Sequence, residues 1–196
     1  AETDEPEEYA ELGEPDEPDE LPNGGILYLL EDMRELELYG SVCAVVSVCD
    51  SMNYILEEEE VLGILTSAAH NYLDYGGLFI FDLNTEYKYR EVLGDQTIAE
   101  SREDCSFIWD NYYYEDESMN EYELTLFIKE QDSNLYRKYQ EMHYQKAYTL
   151  DAMRELVEWS GLEFVTAYDA YTRKAPTETS ERICVVAREH GKGVPN

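Results

Sequence analysis

Basic residues are scarce in this chain of 196 residues, which has 14 Lys and Arg against 45 Asp and Glu. The formal net charge is −31 at neutral pH. Phosphate backbones and anionic membrane surfaces carry the same sign of charge and would be repelled. We therefore expect neither nucleic acid nor a membrane as a primary partner.

Long apolar runs are also missing, because no stretch approaches the roughly 18–20 residues that a membrane-spanning helix needs. The acidic N-terminus is unlike a secretory signal. The cysteines include no CxxC pair typical of zinc or redox sites; they are Cys43, Cys49, Cys105 and Cys184. Most of them lie in apolar runs, so we expect reduced core cysteines in a cytoplasmic protein, and no metal site.

The first 25 residues hold 11 carboxylates, no base and four of the six prolines. So few apolar side chains cannot offset the entropy lost on ordering the chain. We expect residues 1–25 to be a disordered acidic tail and residues 26–196 to form the folded domain. The tail is interpreted either as a solubilising leader or as an interaction arm for a basic partner.

Three apolar runs predict buried strands, at residues 26–30, 42–49 and 78–83. Between the second and third runs, apolar residues recur at helical spacing over residues 61–73. Apolar strands separated by a helix are typical of a parallel sheet that is covered on both faces.

The second half of the chain has a different pattern. Residues 107–114, 121–129 and 135–148 predict an antiparallel meander, inserted at about residues 98–148. Thr149 is suited to cap a following helix, and Gly161 to end it. Residues 164–171 and 183–187 predict two final strands, paired antiparallel at one edge of the sheet.

Five segments carry a family resemblance: residues 26–38 (ILYLLEDMRELEL), 42–55 (VCAVVSVCDSMNYI), 72–85 (YLDYGGLFIFDLNT), 148–165 (YTLDAMRELVEWSGLEFV) and 180–188 (SERICVVAR). In this order they resemble the class I S-adenosylmethionine-dependent methyltransferases of the small bacterial kind, over residues 26–190. The resemblance implies an α/β fold, with strands three to seven of a Rossmann-like sheet and a β meander insert. It also implies an enzyme that transfers a methyl group from S-adenosylmethionine to a small-molecule acceptor.

The resemblance implies a set of cofactor-binding residues. Asp32 would accept a hydrogen bond from the adenine amino group, and Met33 would lie against the adenine ring. Cys49, Asp50 and Asn53 would line the methyl-transfer site, beyond the carboxyl end of their strand. As alternatives, Asp32 fits the capping box of a short helix, and residues 50–53 fit a polar turn that ends in a helix N-cap.

The resemblance also implies an acceptor side, although it assigns no catalytic residue. The candidates for contact with the acceptor are Asp82, Asn84, His143 and Tyr148, with Tyr112, Tyr113 and Tyr144 as further aromatic candidates. Turn chemistry explains Asn84 equally well, and an amphipathic sheet face explains the tyrosines. A half-buried polar residue is the alternative for His143.

The family's most specific motif is absent, since no glycine-rich turn or acid-ended second strand precedes Ile26. In the family, the glycines let the protein backbone approach the cofactor closely, and the acidic residue binds the ribose hydroxyls. Tight cofactor binding by this chain alone is therefore not expected. For this chain as it stands, the absence favours the alternative to a methyltransferase, a non-catalytic methyltransferase-like module that binds a basic protein partner. The five segments favour the methyltransferase, which stays the first hypothesis.

The same absence affects the sheet, whose strand order in the family is 3-2-1-4-5-7-6. Without strands one and two, residues 26–30 and 42–49 lose their neighbours. We expect these two strands to pair directly, or an exposed edge to recruit a second copy in a homodimer.

Overall fold

A computed structural model describes residues 26–131 and 133–191 of the chain. It divides into two units, Ala1–Asp32 and Met33–Asn196. In the first unit, residues 26–32 are exposed and lack regular secondary structure, so the strand predicted at residues 26–30 is wrong. A strand needs hydrogen bonds to a neighbour, and none of the described strands pairs with this run. The predicted acidic tail lies outside the described residues.

The second unit contains two sheets. Its described strands are β1 (Val42–Ser47), β2 (Leu73–Asn84), β3 (Thr97–Ser101), β4 (Cys105–Tyr114), β5 (Met119–Lys129), β6 (Tyr136–Lys146), β7 (Leu162–Asp169) and β8 (Arg182–Glu189). Its α-helices are α1 (Glu58–Ser67) and α2 (Leu150–Trp159). Shorter helical turns occupy Ser51–Tyr54, Ala68–Tyr72 and Lys88–Leu93.

The first sheet has the order β1-β2-β8-β7. β1 and β2 are parallel, whereas β8 runs antiparallel to both β2 and β7. This confirms the closing antiparallel pair at one edge, and the order matches the 4-5-7-6 part of the family's sheet. The direct pairing expected for β1 and residues 26–30 does not form, and β1 is an edge strand among the described residues.

The core lies on one face of this sheet. Both helices bury their apolar stripes there, with Val61 and Leu65 of α1 and Leu156 of α2 packing against Phe79 and Phe81. The opposite face differs, since Ile80 and Val186 are half-buried and Val46 is 58% exposed. The expected cover on both faces is therefore not found in the part of the chain that the structure describes.

The second sheet has the order β3-β4-β5-β6 and is antiparallel throughout. It confirms the predicted meander and adds β3, whose mostly exposed residues give little apolar alternation. The helix that follows is also confirmed: the Thr149 hydroxyl accepts a hydrogen bond from the Ala152 N–H at 3.1 Å. Gly161 follows α2 with φ +89°, a conformation that glycine adopts without a Cβ clash.

The cysteines are not core residues, contrary to expectation. Cys43 and Cys49 are exposed, Cys105 and Cys184 are intermediate, and all four are free thiols. Cys43 lies on edge strand β1, and Cys49 in the turn beyond it, so their apolar sequence neighbours do not enclose them. No described helix is long and apolar enough to cross a bilayer.

The thiols are expected to differ in reactivity. Burial, with a smaller contribution from the charge of Asp82, raises the pKa of the Cys184 thiol. A raised pKa leaves less of the reactive thiolate near neutral pH, so Cys184 should be alkylated more slowly than exposed Cys43. Mass spectrometry of peptides after timed iodoacetamide treatment measures both rates, with the urea-unfolded chain as the control. Equal rates in the folded chain would contradict this expectation.

Candidate functional site

The turn after β1 has an unusual backbone conformation. Cys49 and Asp50 have φ angles of 63° and 53°, in the left-handed region. The buried carboxylate of Asp82, at the end of β2, accepts hydrogen bonds from both backbone N–H groups, at 3.3 Å from Cys49 and 2.7 Å from Asp50. Asp82 therefore fixes this turn at the carboxyl edge of the two parallel strands.

Arg182, at the start of β8, joins two of the predicted site residues. Its guanidinium donates to Asp82 at 3.0 Å and to Asp50 at 2.6 Å. Burial disfavours the charged guanidinium, but the hydrogen bonds and charges of the two carboxylates outweigh this and raise the pKa of Arg182. Sequence reasoning missed Arg182, whose only signal is its place at the start of the last apolar run.

A further hydrogen bond connects this turn to the meander. The Gln145 amide on β6 donates to the second Asp50 oxygen at 2.7 Å. Gln145 in turn accepts from the Tyr89 hydroxyl at 3.2 Å. Burial raises the pKa of Tyr89, which therefore stays protonated. The Asp50 carboxylate is thus held from both sheets.

Asn53 is fully buried and binds backbone groups of two strands. Its carbonyl oxygen accepts from the Asn84 N–H at 2.9 Å. Its amide donates to the carbonyl oxygens of Asn84 at 3.1 Å and Lys146 at 2.8 Å. Asn53 lies in the turn Ser51–Tyr54 and is not the N-cap of α1, which is Glu57. The alternative that ends residues 50–53 in a helix N-cap is therefore wrong.

The acceptor-side candidates Asn84 and Tyr148 both have internal partners. The Asn84 side-chain oxygen accepts from the Lys88 ammonium at 2.9 Å. Burial, followed by the charge of Arg182, lowers the pKa of Lys88. The buried Tyr148 hydroxyl donates to the Ile55 carbonyl at 2.6 Å, and burial raises its pKa. Their roles toward an acceptor stay predictions.

His143 lies in an aromatic cluster rather than alone. Its ring stacks on Tyr122 with centroids 4.6 Å apart and an interplanar angle of 11°. Its Nδ1 is 3.3 Å from the Tyr54 hydroxyl, which is 2.5 Å from the Tyr122 hydroxyl. Its Nε2 is 3.0 Å from a Glu141 oxygen. Sequence reasoning missed Tyr54 because its neighbours in this cluster are remote in the chain.

A cavity of about 380 Å³ lies beside β1 and α1. Its lining is mainly apolar and includes Met33, Leu36, Leu38, Val48 and Met52, together with the polar residues Ser47, Ser51, Ser67 and Tyr72. Met33 is thus the one predicted cofactor residue that lines it. Asp32 is exposed in the first unit, and the turn at Met33 and Arg34 replaces the short helix that its capping box would begin.

The structure therefore brings Asp50, Asn53, Asp82 and Asn84 together at one edge of the first sheet, with Arg182 and Gln145 added. Cys49 lies in the same turn. Within the described ranges, no group of three or more His, Cys, Asp or Glu side chains could hold a metal ion.

Comparison with curated proteins identifies two bacterial relatives that carry provisional names as methyltransferases. A protein of Geobacillus sp. (strain WCH70) is 33% identical over 164 residues, which cover 84% of this chain and 66% of the relative. YqeM of Bacillus subtilis (strain 168) is 29% identical over 165 residues, with the same coverage of 84% and 66%. The chain thus spans 66% of the length of these relatives. No family model matches it.

Solved structures of methyltransferases have a similar fold. An S-adenosylmethionine-dependent methyltransferase from Clostridium acetobutylicum ATCC 824 superposes with a TM-score of 0.75 at 23% identity, covering 83% of this chain and 64% of that one. The CcbJ methyltransferase from Streptomyces caelestis gives a TM-score of 0.68 at 13% identity, with coverage of 83% and 63%. In sequence the chain is therefore similar to curated proteins with provisional methyltransferase names, and its fold is that of S-adenosylmethionine-dependent methyltransferases.

Proposed function

We propose that the protein is an S-adenosylmethionine-dependent methyltransferase that acts on a small-molecule acceptor. One observation carries the proposal: the apolar cavity reaches Ser47, Val48 and Ser51, which flank the turn that Asp82 and Arg182 fix at the carboxyl edge of β1. Ligands of open α/β sheets bind beyond the carboxyl ends of the strands. The relationship to curated methyltransferases supports the same activity.

The residues of the cavity suit the adenine end of the cofactor. Its volume of about 380 Å³ is within the range of small-molecule sites. Met33, Leu36 and Val48 offer an apolar, polarizable surface for a flat ring, and the Ser51 hydroxyl offers a polar contact. The cofactor, when bound, supplies the activated methyl group. The adenine role of Asp32 stays a prediction from the sequence.

The polar residues at the carboxyl edge of the first sheet would help to position the acceptor. Methyl transfer is an in-line displacement, so its rate depends on how closely the acceptor atom is held to the methyl carbon. The carboxylates of Asp50 and Asp82 are engaged by Arg182, Gln145 and backbone N–H groups, which makes this turn a rigid wall. We assign Asp50, Asn53 and Asp82 to the support of this wall.

The alternative, a non-catalytic module for a basic partner, gains no support from the comparisons, because the curated relatives carry methyltransferase names. The homodimer stays a prediction, based on the edge position of β1.

The cofactor site can be tested with Val48, which is 52% exposed at the cavity wall. In Val48→Trp the indole should occupy ligand space and weaken S-adenosylhomocysteine binding at least about tenfold, equivalent to about 1.4 kcal/mol. Titration calorimetry with S-adenosylmethionine and S-adenosylhomocysteine measures the affinity. Val165→Trp, on β7 and 38% exposed, is the matched control and should bind as the parent does. An unmodified chain that binds neither compound at millimolar concentration would overturn the proposed function.

A further inference from the structure

Four side chains from three elements form a hydrogen-bonded cluster beside the proposed site. Tyr54 comes from the turn after β1, Tyr122 from β5, and Glu141 and His143 from β6. The contacts run from Tyr122 to Tyr54 to Nδ1 of His143, and from Nε2 of His143 to Glu141. The Tyr54 side chain is 40% exposed, so it can be reached from solvent.

The cluster lies next to the rigid wall. Tyr54 ends the turn that begins directly after Asp50. His143 precedes Gln145 by two positions on β6, so both side chains are on the same face, about 7 Å apart along the strand. Since Gln145 donates to Asp50, this face of β6 points toward the turn. Tyr54 and His143 therefore lie at the side of the meander that meets this turn.

The hydrogen bonds define the proton positions of the neutral cluster. The Glu141 carboxylate can only accept, so Nε2 of His143 carries the ring proton and Nδ1 has a free lone pair. Tyr54 then donates to Nδ1, and Tyr122 donates to the Tyr54 oxygen. Burial, followed by the hydrogen bond to Tyr54, raises the pKa of Tyr122 and keeps it protonated. The charge of Asp50 acts on Tyr122 in the same direction.

We propose that Tyr54, His143 and Glu141 form a proton relay that removes the proton of the methyl acceptor. The proposal rests on the proposed methyltransferase function. The acceptor nitrogen or oxygen forms its bond to the methyl carbon as the carbon–sulfur bond breaks, and the electron pair of that bond stays on sulfur. The acceptor proton passes to the Tyr54 oxygen, and the proton of Tyr54 passes to Nδ1 of His143.

The relay resembles a nucleophile–histidine–carboxylate triad, because a hydroxyl gives its proton to a histidine that a carboxylate orients. The carboxylate of Glu141 fixes the tautomer of His143 and stabilises the imidazolium that forms. Imidazole suits this task because its ordinary pKa lies near neutrality. Tyr54 is the catalytic residue of the relay, since its hydroxyl touches the acceptor, whereas Glu141 is a positioning residue.

The first test needs neither cofactor nor acceptor. ¹⁵N NMR of the full chain, with the resonances assigned by His143→Gln, reports which ring nitrogen of neutral His143 carries the proton. The relay requires a protonated Nε2. It also requires the Nδ1 resonance of His143 to move in Tyr54→Phe, because that nitrogen loses the hydroxyl that faces it. Tyr144→Phe, on the same strand, should leave this resonance unchanged. A protonated Nδ1, or an Nδ1 resonance unaffected by Tyr54→Phe, overturns the relay.

The second test measures methyl transfer to benzylamine and phenol as probe acceptors. His143→Gln and Tyr54→Phe should each lower kcat about 100-fold with little change in KM. His70→Gln, an exposed histidine outside the cluster, is the control and should leave kcat unchanged. Full kcat in either relay variant overturns the proposal. A chain that transfers no methyl group to either probe and binds no cofactor contradicts the proposed function, while the NMR result still decides whether the relay exists.

Discussion

Replacing Arg182 with methionine is expected to lower the free energy of unfolding by about 3 kcal/mol. The substitution leaves two carboxylates without their cation, and Asp82 is only 6% exposed. Removing one partner of a buried ion pair costs about 3–5 kcal/mol, because an uncompensated charge stays in a poorly solvated place. We expect the lower end of this range since the Asp50 side chain retains 21% exposure. Urea denaturation followed by circular dichroism measures the change.

Arg188→Met is the matched control for this experiment. Arg188 lies on the same strand, but its side chain is exposed, so its replacement should change stability by less than about 0.5 kcal/mol. If the two variants unfold at the same urea concentration, the ion pairs of Arg182 do not stabilise the fold.

Asn53→Leu should cost about 3 kcal/mol of stability. Leucine has the same branching as asparagine and is larger, so the substitution leaves no cavity, and its extra bulk adds to the loss. The substitution removes the partner of the Asn84 N–H and of the carbonyl groups of Asn84 and Lys146. Each buried polar group left without a partner costs about 1–3 kcal/mol, and the carbonyls retain a second lone pair for other partners.

Asn71→Leu serves as the control, because Asn71 is exposed and bonds only to the Ser67 hydroxyl among the contacts found for it. Its change should stay within about 0.5 kcal/mol. The same urea titrations compare the two variants. An Asn53→Leu chain as stable as Asn71→Leu would show that the buried amide is dispensable for joining the two sheets.

The sequence predicts the elements whose pattern is local. The meander follows from alternation along β4 and β5, and α2 follows from its Thr149 cap and Gly161 stop. It does not predict whether an apolar run finds a neighbour. Residues 26–30 and β1 have similar composition, yet only β1 pairs, since pairing is decided by distant residues of β2.

The candidate site shows the same limit. The positions of Asp50, Asn53, Asp82 and Asn84 can be predicted because each lies at the end of a recognisable strand or just after it. Arg182 and Gln145 cannot, because their partners are 132 and 95 residues away in the chain. Tyr54 and His143 are separated by 89 residues, so this contact of the histidine forms only on folding and has no signal in the local sequence.

The position of the meander has a consequence for how the chain folds. β2 and β8 are neighbours in the first sheet, although Asp82 and Arg182 lie 100 residues apart. The meander fills roughly half of that stretch with hairpins that close locally. Doubling the length of a loop adds only about 0.6 kcal/mol to the entropic cost of closing it. The insert therefore changes the free energy of folding little. Its main effect is on the folding rate. Because β2 and β8 are joined by a long connection, we expect the first sheet to form more slowly than the second.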